Sequence, residues 1–271
     1  MIKLIKYILK KTNYLEAVRN SKTYINLAYQ FNPSLKKQLE IDLEFYKPFI
    51  PKGTLCFDIG ANIGGKLYVF NKLGARIVAV EPDGNAFRTL FSRYGEIKNV
   101  KLLKIGLGEK QEMKTLLQAE NSTLSTVSDD DYTNILKDQR FAEKAEMSTK
   151  EEVEIDTLDN LISLHGLPHY CKIATVGYEL AILKGLSSPI PYISLTCNLP
   201  YHIGKTKECV QLISKLGTYE FNYLYSDISN GFSSRSWLSE NQMLAKFSEI
   251  SKVENSKYVE VFARKNSSSA G

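Results

Sequence analysis

The feature that most constrains this chain is an apolar strand that ends in an acid and runs directly into a glycine loop. The segment CFDIGANIGG occupies residues 56–65, and a helical pattern follows it. Glycine lets the backbone approach a ligand closely, and the first turn of a helix offers unpaired N–H groups to that ligand. The order of strand, glycine loop and helix therefore predicts a ligand site at the edge of an α/β sheet.

A second acid follows at a distance that suits the same ligand. Glu81 and Pro82 close the apolar strand 77–80, and Glu81 lies 23 positions after Asp58. In nucleotide-binding folds about 20 residues separate the glycine loop from an acid that binds the ribose. We therefore expect Glu81 to accept hydrogen bonds from both hydroxyl groups of an adenosine ribose.

The order of residues in the loop discriminates between two kinds of cofactor. Dinucleotide loops follow the pattern GxGxxG, whereas this loop follows D-x-G-x-N-x-G from Asp58 to Gly64. A carboxylate at the mouth of the loop would repel a pyrophosphate and attract the ammonium and sulfonium groups of S-adenosylmethionine. The loop favours S-adenosylmethionine. A nicotinamide cofactor, or a turn that serves only helix packing, remains an alternative.

Short apolar runs alternate with helical patterns from Thr54 onward, which is typical of a parallel sheet covered by helices on both faces. We predict a Rossmann-like α/β fold with five or six parallel strands and an antiparallel last strand. The polar stretch 109–150 is expected to be a long loop over the carboxyl edge of the sheet. The predicted strands are 54–58, 76–81, 100–106, 171–175, 192–198, 219–225 and 258–263, with a helix near 205–216.

Three regions are expected along the chain. Residues 1–50 form a helical N-terminal segment that packs on the core, residues 51–265 form the binding domain, and residues 266–271 form a disordered tail. In the first segment, lysines and apolar residues share helical spacing, so the segment can cap the core or make peripheral contact with a membrane. They are Lys3, Lys6, Lys10 and Lys11, with Met1, Leu4, Ile5 and Ile8.

Composition argues against several classes of partner and cofactor. The net charge of +5 is too small to indicate a nucleic-acid-binding protein. No apolar run approaches the roughly 18 to 20 residues that cross a bilayer. The cysteines and histidines lack metal-site spacing, so no metal is expected, and free thiols suit a cytoplasmic, reducing location. These residues are Cys56, Cys171, Cys197, Cys209, His165, His169 and His202.

Several segments, taken together, resemble the FkbM family of S-adenosylmethionine-dependent methyltransferases over residues 54–186. They are CFDIGANIG at 56–64, GARIVAVEP at 74–82, IGLG at 105–108, NSTLS at 121–125, DTLD at 156–159 and KIATVGYELAILKGL at 172–186. The resemblance implies a class I methyltransferase fold with S-adenosylmethionine as its cofactor. It also implies a role for each residue of the site. Asp58, Gly60, Asn62 and Gly64 line the methionine side, Glu81 holds the ribose with Pro82 beside it among the cofactor-binding residues, and Gly106 and Leu107 lie near the adenine.

The resemblance further implies O-methylation of a hydroxyl group on a sugar or natural product, hence a small-molecule or glycan acceptor. The family pattern K-I-D-x-E-G-x-E begins here at Lys172 and keeps Glu179, but Ala174 and Val176 replace its two acids. A carboxylate at such a place positions or deprotonates the acceptor, and loss of a general base costs about 10²- to 10⁴-fold in rate.

These two positions leave a catalytically silent S-adenosylmethionine-binding protein as an alternative. Lys172 and Glu179 are the remaining catalytic candidates. Glu179 is expected to act as a base or simply to lie on a helix face, where an acid in the first turn is favoured by the helix dipole. Leu67 and Thr196 also differ from the residues usual in the family.

Overall fold

The computed structural model describes residues 21–119, 125–127, 147–199, 202–225, 231–251 and 258–266. A seven-stranded sheet forms the centre of this part of the chain, with the order β3-β2-β1-β7-β8-β10-β9. Its strands are β1 (Leu55–Ile59), β2 (Arg76–Val80), β3 (Val100–Leu103), β7 (Tyr170–Ile173), β8 (Tyr192–Asn198), β9 (Tyr219–Tyr225) and β10 (Tyr258–Lys265).

The pairing confirms the predicted sheet. β1 pairs in parallel with β2 and β7, β2 with β3, and β7 with β8. β10 alone of these seven strands runs against its neighbours, because it is antiparallel to both β8 and β9. The last strand is thus inserted between the two that precede it in the sequence, and six strands point one way.

The prediction of a long loop over residues 109–150 is wrong in part. A smaller sheet with the order β4-β6-β5 contains β4 (Gly106–Leu107), β5 (Glu112–Ala119) and β6 (Met147–Asp156). Leu116, Val153 and Ile155 form a small buried cluster of this sheet. The polar residues around these three positions obscure the alternation of apolar and polar residues that is typical of a strand. The sequence of this stretch therefore resembles that of a loop. The predicted strand 100–106 is accordingly split between the two sheets.

Eight helices are described, and they cover both faces of the main sheet. One face carries α1 (Lys22–Phe31), α2 (Pro33–Tyr46), α3 (Gly65–Lys72) and α4 (Gly84–Tyr94), and the other carries α5 (Leu158–His165), α6 (Glu179–Lys184), α7 (Ile203–Leu216) and α8 (Glu240–Ile250). Neighbouring residues of β1 point to opposite faces, so Cys56 packs under the first group and Phe57 under the second. This is the doubly wound arrangement that the alternating pattern predicts.

The N-terminal helices pack on the core through aromatic side chains. Tyr46 and Phe49 are buried against Tyr170, at ring distances of 6.0 and 6.3 Å. The chain turns between the two helices at Asn32, whose side chain accepts hydrogen bonds from the first amides of α2, and Pro33 occupies the first helical position. Residues 1–20, which include the basic segment, and residues 267–271 of the expected tail lie outside the described residues.

Helix α8 was not predicted from the sequence. Its start carries a reciprocal capping box, in which the Ser239 side chain accepts from the backbone of Gln242 and the Gln242 side chain accepts from the backbone of Ser239. Met243, Phe247 and Ile250 bury one side of this helix. Serine, a polar residue three positions later and this apolar spacing could have predicted the helix.

Candidate cofactor site

The loop after β1 depends on backbone conformations that favour glycine. Gly60 and Gly64 have φ values of +75° and +84°, in the left-handed region. A Cβ atom on Gly60 would lie 2.1 Å from the carbonyl oxygen of Ala174, and one on Gly64 would lie 2.3 Å from the ring of Tyr94. The loop therefore fits closely between the end of β7 and helix α4.

Glu81 connects this loop to the end of β2. Its Oε2 accepts a hydrogen bond from the Asn62 backbone N–H at 2.8 Å, and its Oε1 accepts one from the Asp83 backbone N–H at 2.8 Å. Burial of the carboxyl group raises the pKa of Glu81 to about 7. The two backbone amides lower this pKa, and the nearby acids Asp83 and Asp58 raise it. Glu81 is thus a buried acid that titrates near neutral pH.

A cavity of about 270 Å³ opens where the two sheets meet the loop. Six of the eight residues assigned to the cofactor line it: Gly60, Asn62, Glu81, Pro82, Gly106 and Leu107. Leu116 and Ile155 of the small sheet, together with Val127, add an apolar wall beside Leu107. The structure thus brings the loop, the second acid and the predicted adenine region together around one space.

Asp58 does not lie where the sequence argument put it. Its side chain is 1% exposed and does not line the cavity, because Asp58 belongs to β1, a strand that is buried throughout. Among the residues that the structure describes, neither carboxylate oxygen has a hydrogen-bond partner, and the Lys172 Nζ lies 3.8 Å from Oδ1. Burial raises the pKa of Asp58, while Lys172 and Lys66 oppose that shift. The structure thus places the Asp58 carboxylate inside the sheet rather than at the mouth of the loop.

Gly64 also lies outside the lining of the cavity, where the Tyr94 hydroxyl donates a hydrogen bond to its carbonyl at 2.8 Å. The roles proposed for Asp58 and Gly64 on the methionine side stay predictions. In this structure Asp58 lies within the sheet, and Gly64 packs against Tyr94 of α4.

Ala174 and Val176 line the cavity, so the two positions that lack the family's acids face the same space as Glu81. They belong to a turn in which the Tyr178 backbone N–H donates to the Thr175 carbonyl at 2.8 Å. Val176 has a φ of +26°, and Gly177 follows with +87°. A β-branched residue at positive φ is strained, typically by about 1–3 kcal/mol.

Lys172 and Glu179, the other catalytic candidates, do not line the cavity. Lys172 is 9% exposed on β7 and faces Asp58. Glu179 is 6% exposed, and its Oε1 accepts a hydrogen bond from the Thr175 backbone N–H at 2.8 Å. Glu179 therefore holds the turn that carries residues 174–176, and its action as a base stays a prediction.

Several lining residues were not assigned from the sequence. The turn and α6 contribute Thr175, Tyr178 and Ile182, and β8 contributes Thr196, which had been noted only as atypical. Ser125 lines the cavity as well, and its hydroxyl donates to Asp83 Oδ2 at 2.7 Å. The NSTLS segment, which includes Ser125, could have identified it. The other four side chains lie in a strand, a turn and helix α6, whose spatial neighbours the sequence does not reveal.

The histidines lie apart from this cavity. His165 ends α5, the His169 ring packs on Tyr192, and His202 is 3% exposed before α7. Among the described residues no group of three or more His, Cys, Asp and Glu side chains could hold a metal ion. No described helix is long and apolar enough to cross a membrane.

The sheet order, the antiparallel β10 and a cavity at the carboxyl ends of β1 and β2 define the class I fold of S-adenosylmethionine-dependent methyltransferases. A sequence profile described as "Methyltransferase FkbM domain" matches residues 58–193, half of the chain. The chain belongs to the FkbM methyltransferase family, and S-adenosylmethionine is its cofactor. The methyltransferase profile leaves no support for the nicotinamide alternative.

Comparison with solved structures gives distant similarities. A precorrin-6y C5,15-methyltransferase from Geobacter metallireducens is 12% identical, with a TM-score of 0.40, over 87% of this chain and 90% of that chain. A TehB-like SAM-dependent methyltransferase from Corynebacterium glutamicum is 10% identical, with a TM-score of 0.41, over 93% of this chain and 99% of that chain. No curated protein matches the sequence.

The residues around the cavity fit the adenosine part of this cofactor. Each oxygen of Glu81 accepts one backbone hydrogen bond and keeps a lone pair for a ribose hydroxyl. Leu107, Leu116 and Ile155 give an apolar contact that suits an adenine. The cavity therefore suits adenosine because a hydrogen-bonding acid lies beside an apolar wall.

Proposed function

We propose that the protein transfers the methyl group of S-adenosylmethionine to a hydroxyl group of a small-molecule or glycan acceptor, such as a sugar or natural product. The supporting observation is that Glu81 and the turn 174–176 line one cavity. A cofactor whose ribose is bound at Glu81 can extend toward this turn. The acceptor would then meet the cofactor beside Ala174 and Val176.

The proposed roles divide the cavity into three parts. The backbone at Gly60 and Asn62 holds the methionine part, Glu81 binds the ribose, and Pro82 with Gly106 and Leu107 covers the adenine. Asp58 and Gly64 act by holding the loop in shape. Lys172 opposes the rise that burial causes in the pKa of Asp58, because its Nζ lies 3.8 Å from Oδ1.

The chemistry beside the turn is limited by its side chains. Bound S-adenosylmethionine supplies an electrophilic methyl group, and a hydroxyl group that attacks it must lose its proton. Methyl and isopropyl groups at positions 174 and 176 can neither accept this proton nor orient the hydroxyl. Thr175 and Thr196 line the same region and can orient a hydroxyl, but they are not bases at neutral pH.

The lack of an acid at positions 174 and 176 favours a second candidate function, a protein that binds S-adenosylmethionine without turnover. Glu179 accepts a hydrogen bond from the backbone of Thr175, so this acid serves the turn. In the silent protein the cavity would bind and release the cofactor unchanged. The two candidates differ only in whether a methyl group leaves the cofactor.

Calorimetry and mass spectrometry can separate these candidates. We expect S-adenosylmethionine and S-adenosylhomocysteine to bind, and NAD not to bind. Incubation with a panel of hydroxylated acceptors should give a product heavier by one methyl group and linked through oxygen. Absence of cofactor binding would contradict both candidates. Binding without any product would contradict turnover alone.

A double substitution tests the missing acids. Ala174→Asp with Val176→Glu is expected to raise methyl transfer by roughly 10²- to 10⁴-fold with little change in cofactor affinity. The matched control is Ala174→Asn with Val176→Gln, which has nearly the same shape but no base. Equal rates for the acid pair, the amide pair and the unchanged protein would show that the acids are not needed here.

We also propose the division of the chain into residues 1–50, 51–265 and 266–271, and a cytoplasmic location. The packing of α1 and α2 on the sheet supports a helical segment that is continuous with the core. The four cysteines are buried free thiols, which suits a reducing compartment. Limited proteolysis would test the boundaries.

A further inference from the structure

A row of residues crosses four neighbouring strands of the main sheet at the edge that carries the cavity. Gly60 follows β1, Ala174 follows β7 and Thr196 lies in β8, and all three line the cavity. The next strand in the sheet is β10, in which Glu260 lies directly opposite Thr196. Side chains that are directly opposite in an antiparallel pair project from the same face, with Cβ atoms about 5 Å apart. The row therefore ends in an acid that lies one strand away from the lining of the cavity.

Glu260 is buried, and a chain of hydroxyl groups ends at it. It is 6% exposed, and its Oε1 accepts a hydrogen bond from the Ser194 hydroxyl at 2.8 Å. The Ser194 and Tyr170 hydroxyl oxygens lie 2.7 Å apart. Ser194 has a single hydroxyl proton, which it donates to Glu260, so Tyr170 donates to Ser194. Burial raises the pKa of Tyr170, and the charge of Glu260 raises it further, which keeps this donor protonated.

The Glu260 side chain is an acid where an amide would satisfy the same hydrogen bond. A glutamine could accept from Ser194 equally well, and burial of a charged carboxylate costs free energy. Within the described part of the chain the Glu260 side chain accepts this one hydrogen bond, so Oε2 can accept another. A buried carboxylate with acceptor capacity beside a ligand cavity is suited to proton transfer.

Glu260 itself does not line the cavity, so any action on an acceptor must pass through a neighbour. Neighbouring strands lie about 4.8 Å apart, which puts the backbone of β10 roughly 10 Å from Ala174, two strands away. Thr196 lies between them and contributes its side chain to the cavity wall. The Thr196 hydroxyl is both a donor and an acceptor, so it can connect an acceptor hydroxyl in the cavity with Glu260 behind it.

We infer that Glu260 is a positioning residue for methyl transfer, which orients the Thr196 hydroxyl and takes up the proton that the acceptor loses. This inference rests on the proposed function, because it names the acid that serves the same site. The acceptor oxygen bonds to the methyl carbon, and the bond from that carbon to the cofactor sulfur breaks with its electron pair left on sulfur. The acceptor proton passes to the Thr196 oxygen, the Thr196 proton passes to Glu260, and Glu260 returns it to water.

Thermal melts of the ligand-free protein test the contact between the two side chains without any turnover. Thr196→Val combined with Glu260→Gln should shift the midpoint by an amount that differs by at least about 2 °C from the sum of the single shifts. The matched control is Glu220→Gln, at an acid on β9 that pairs with Arg264, four residues further along β10. Thr196→Val and Glu220→Gln should add. Additive shifts for Thr196→Val and Glu260→Gln would overturn the inference.

Two acceptor probes separate proton transfer from a purely structural role. At pH 8 and saturating cofactor, Glu260→Gln should lower kcat for the alkyl hydroxyls of methyl glucoside by about 10²-fold, the lower end of what a general base supplies, with little change in KM. The rate with 4-nitrophenol should change less than about twofold, because this phenol ionises without a base. Glu260→Asp should retain at least about tenfold more glucoside activity than Glu260→Gln, and Glu220→Gln should leave both rates unchanged.

A rescue experiment tests the same assignment from the other side of the cavity. Ala174→Asp with Val176→Glu supplies acids directly at the cavity wall, so adding Glu260→Gln to this pair should cost less than about twofold. A structural role for Glu260 predicts instead the full loss in that background.

Several outcomes would overturn the inference. Equal glucoside rates for Glu260→Gln and the unchanged protein would do so and would leave the proposed methyl transfer standing, as would an equal loss with both probes. Methylation of 4-nitrophenol without any methylation of the glucoside by the unchanged protein would show that no base serves the acceptor. Cofactor binding without product from either probe would contradict this inference together with turnover.

Discussion

Lowering the pH from 8 to 6 is expected to weaken the binding of S-adenosylhomocysteine by about tenfold, because Glu81 must be ionised to accept hydrogen bonds most strongly from the ribose hydroxyls. Burial raises the pKa of Glu81 to about 7. With this pKa, about nine in ten Glu81 side chains are ionised at pH 8 and about one in ten at pH 6. Affinity that requires the ionised form changes by the ratio of these fractions.

Isothermal titration calorimetry at the two pH values measures this change directly. At pH 6, binding should release close to one proton, which appears as a dependence of the heat on the ionisation enthalpy of the buffer. Glu81→Gln should bind more weakly and show neither effect. Asp58→Asn is the control, because Asp58 is also a buried acid with a raised pKa but does not line the cavity.

The ligand-free protein should respond to pH with the opposite sign. A carboxyl group with a pKa of about 7 when folded, against 4.5 for the unfolded chain, binds more protons in the folded state between these values. Its contribution to the free energy of unfolding therefore falls as the pH rises from 4.5 to 7, by on the order of 3 kcal/mol. Comparison with Glu81→Gln isolates this contribution.

Two results would refute the reasoning about Glu81. Equal affinity at pH 6 and pH 8 would mean that the carboxyl group is not the ribose acceptor or does not titrate near neutrality. A pH dependence that persists in Glu81→Gln, and disappears in Asp58→Asn, would assign it to the other acid.

Two further predictions concern the backbone at the cavity. Gly60→Ala should lower the thermal midpoint more than Gly53→Ala, and should weaken S-adenosylhomocysteine binding by at least about tenfold. Both glycines have positive φ, but a Cβ on Gly53 meets no atom of the described residues within 4 Å, whereas one on Gly60 collides with the backbone of Ala174. Equal effects of the two variants would refute this prediction. Val176→Asn should raise the midpoint by about 2–4 °C, since asparagine tolerates positive φ and about 1 kcal/mol of strain is relieved. Val100→Asn, in a strand, should lower the midpoint, and a fall for both variants would contradict strain at Val176.

Local patterns determine much of the fold in advance. The run 219–225 is predicted with the bounds of β9, and the helix near 205–216 is two residues short of α7. Such elements can be predicted because the spacing of apolar residues, and the residues that end a helix or strand, depend only on positions that are close in the sequence. The antiparallel pair of β5 and β6 was missed because its strands bury few side chains, and their pairing joins residues that are far apart in the sequence, such as Glu112 and Ile155.

The residues that line the cavity also fall into those that the sequence predicts and those that it does not. Gly60, Asn62 and Glu81 are identifiable from the sequence, since a glycine loop after a strand and an acid after the next strand are fixed by local order. Thr175, Tyr178 and Ile182 are not, because they reach the cavity through a turn whose shape includes a positive φ at Val176.

The sequence by itself determined the alternation of strands and helices, the glycine loop and the acid that follows it, because each is encoded by residues that are close along the chain. Only the tertiary structure decided that β10 lies between β8 and β9, where Ser194 donates to the buried Glu260 at 2.8 Å. It alone also decided that Asp58 is buried beneath the loop rather than at its mouth. Both depend on which strands become neighbours, and that choice is made by packing over the whole core rather than by local spacing.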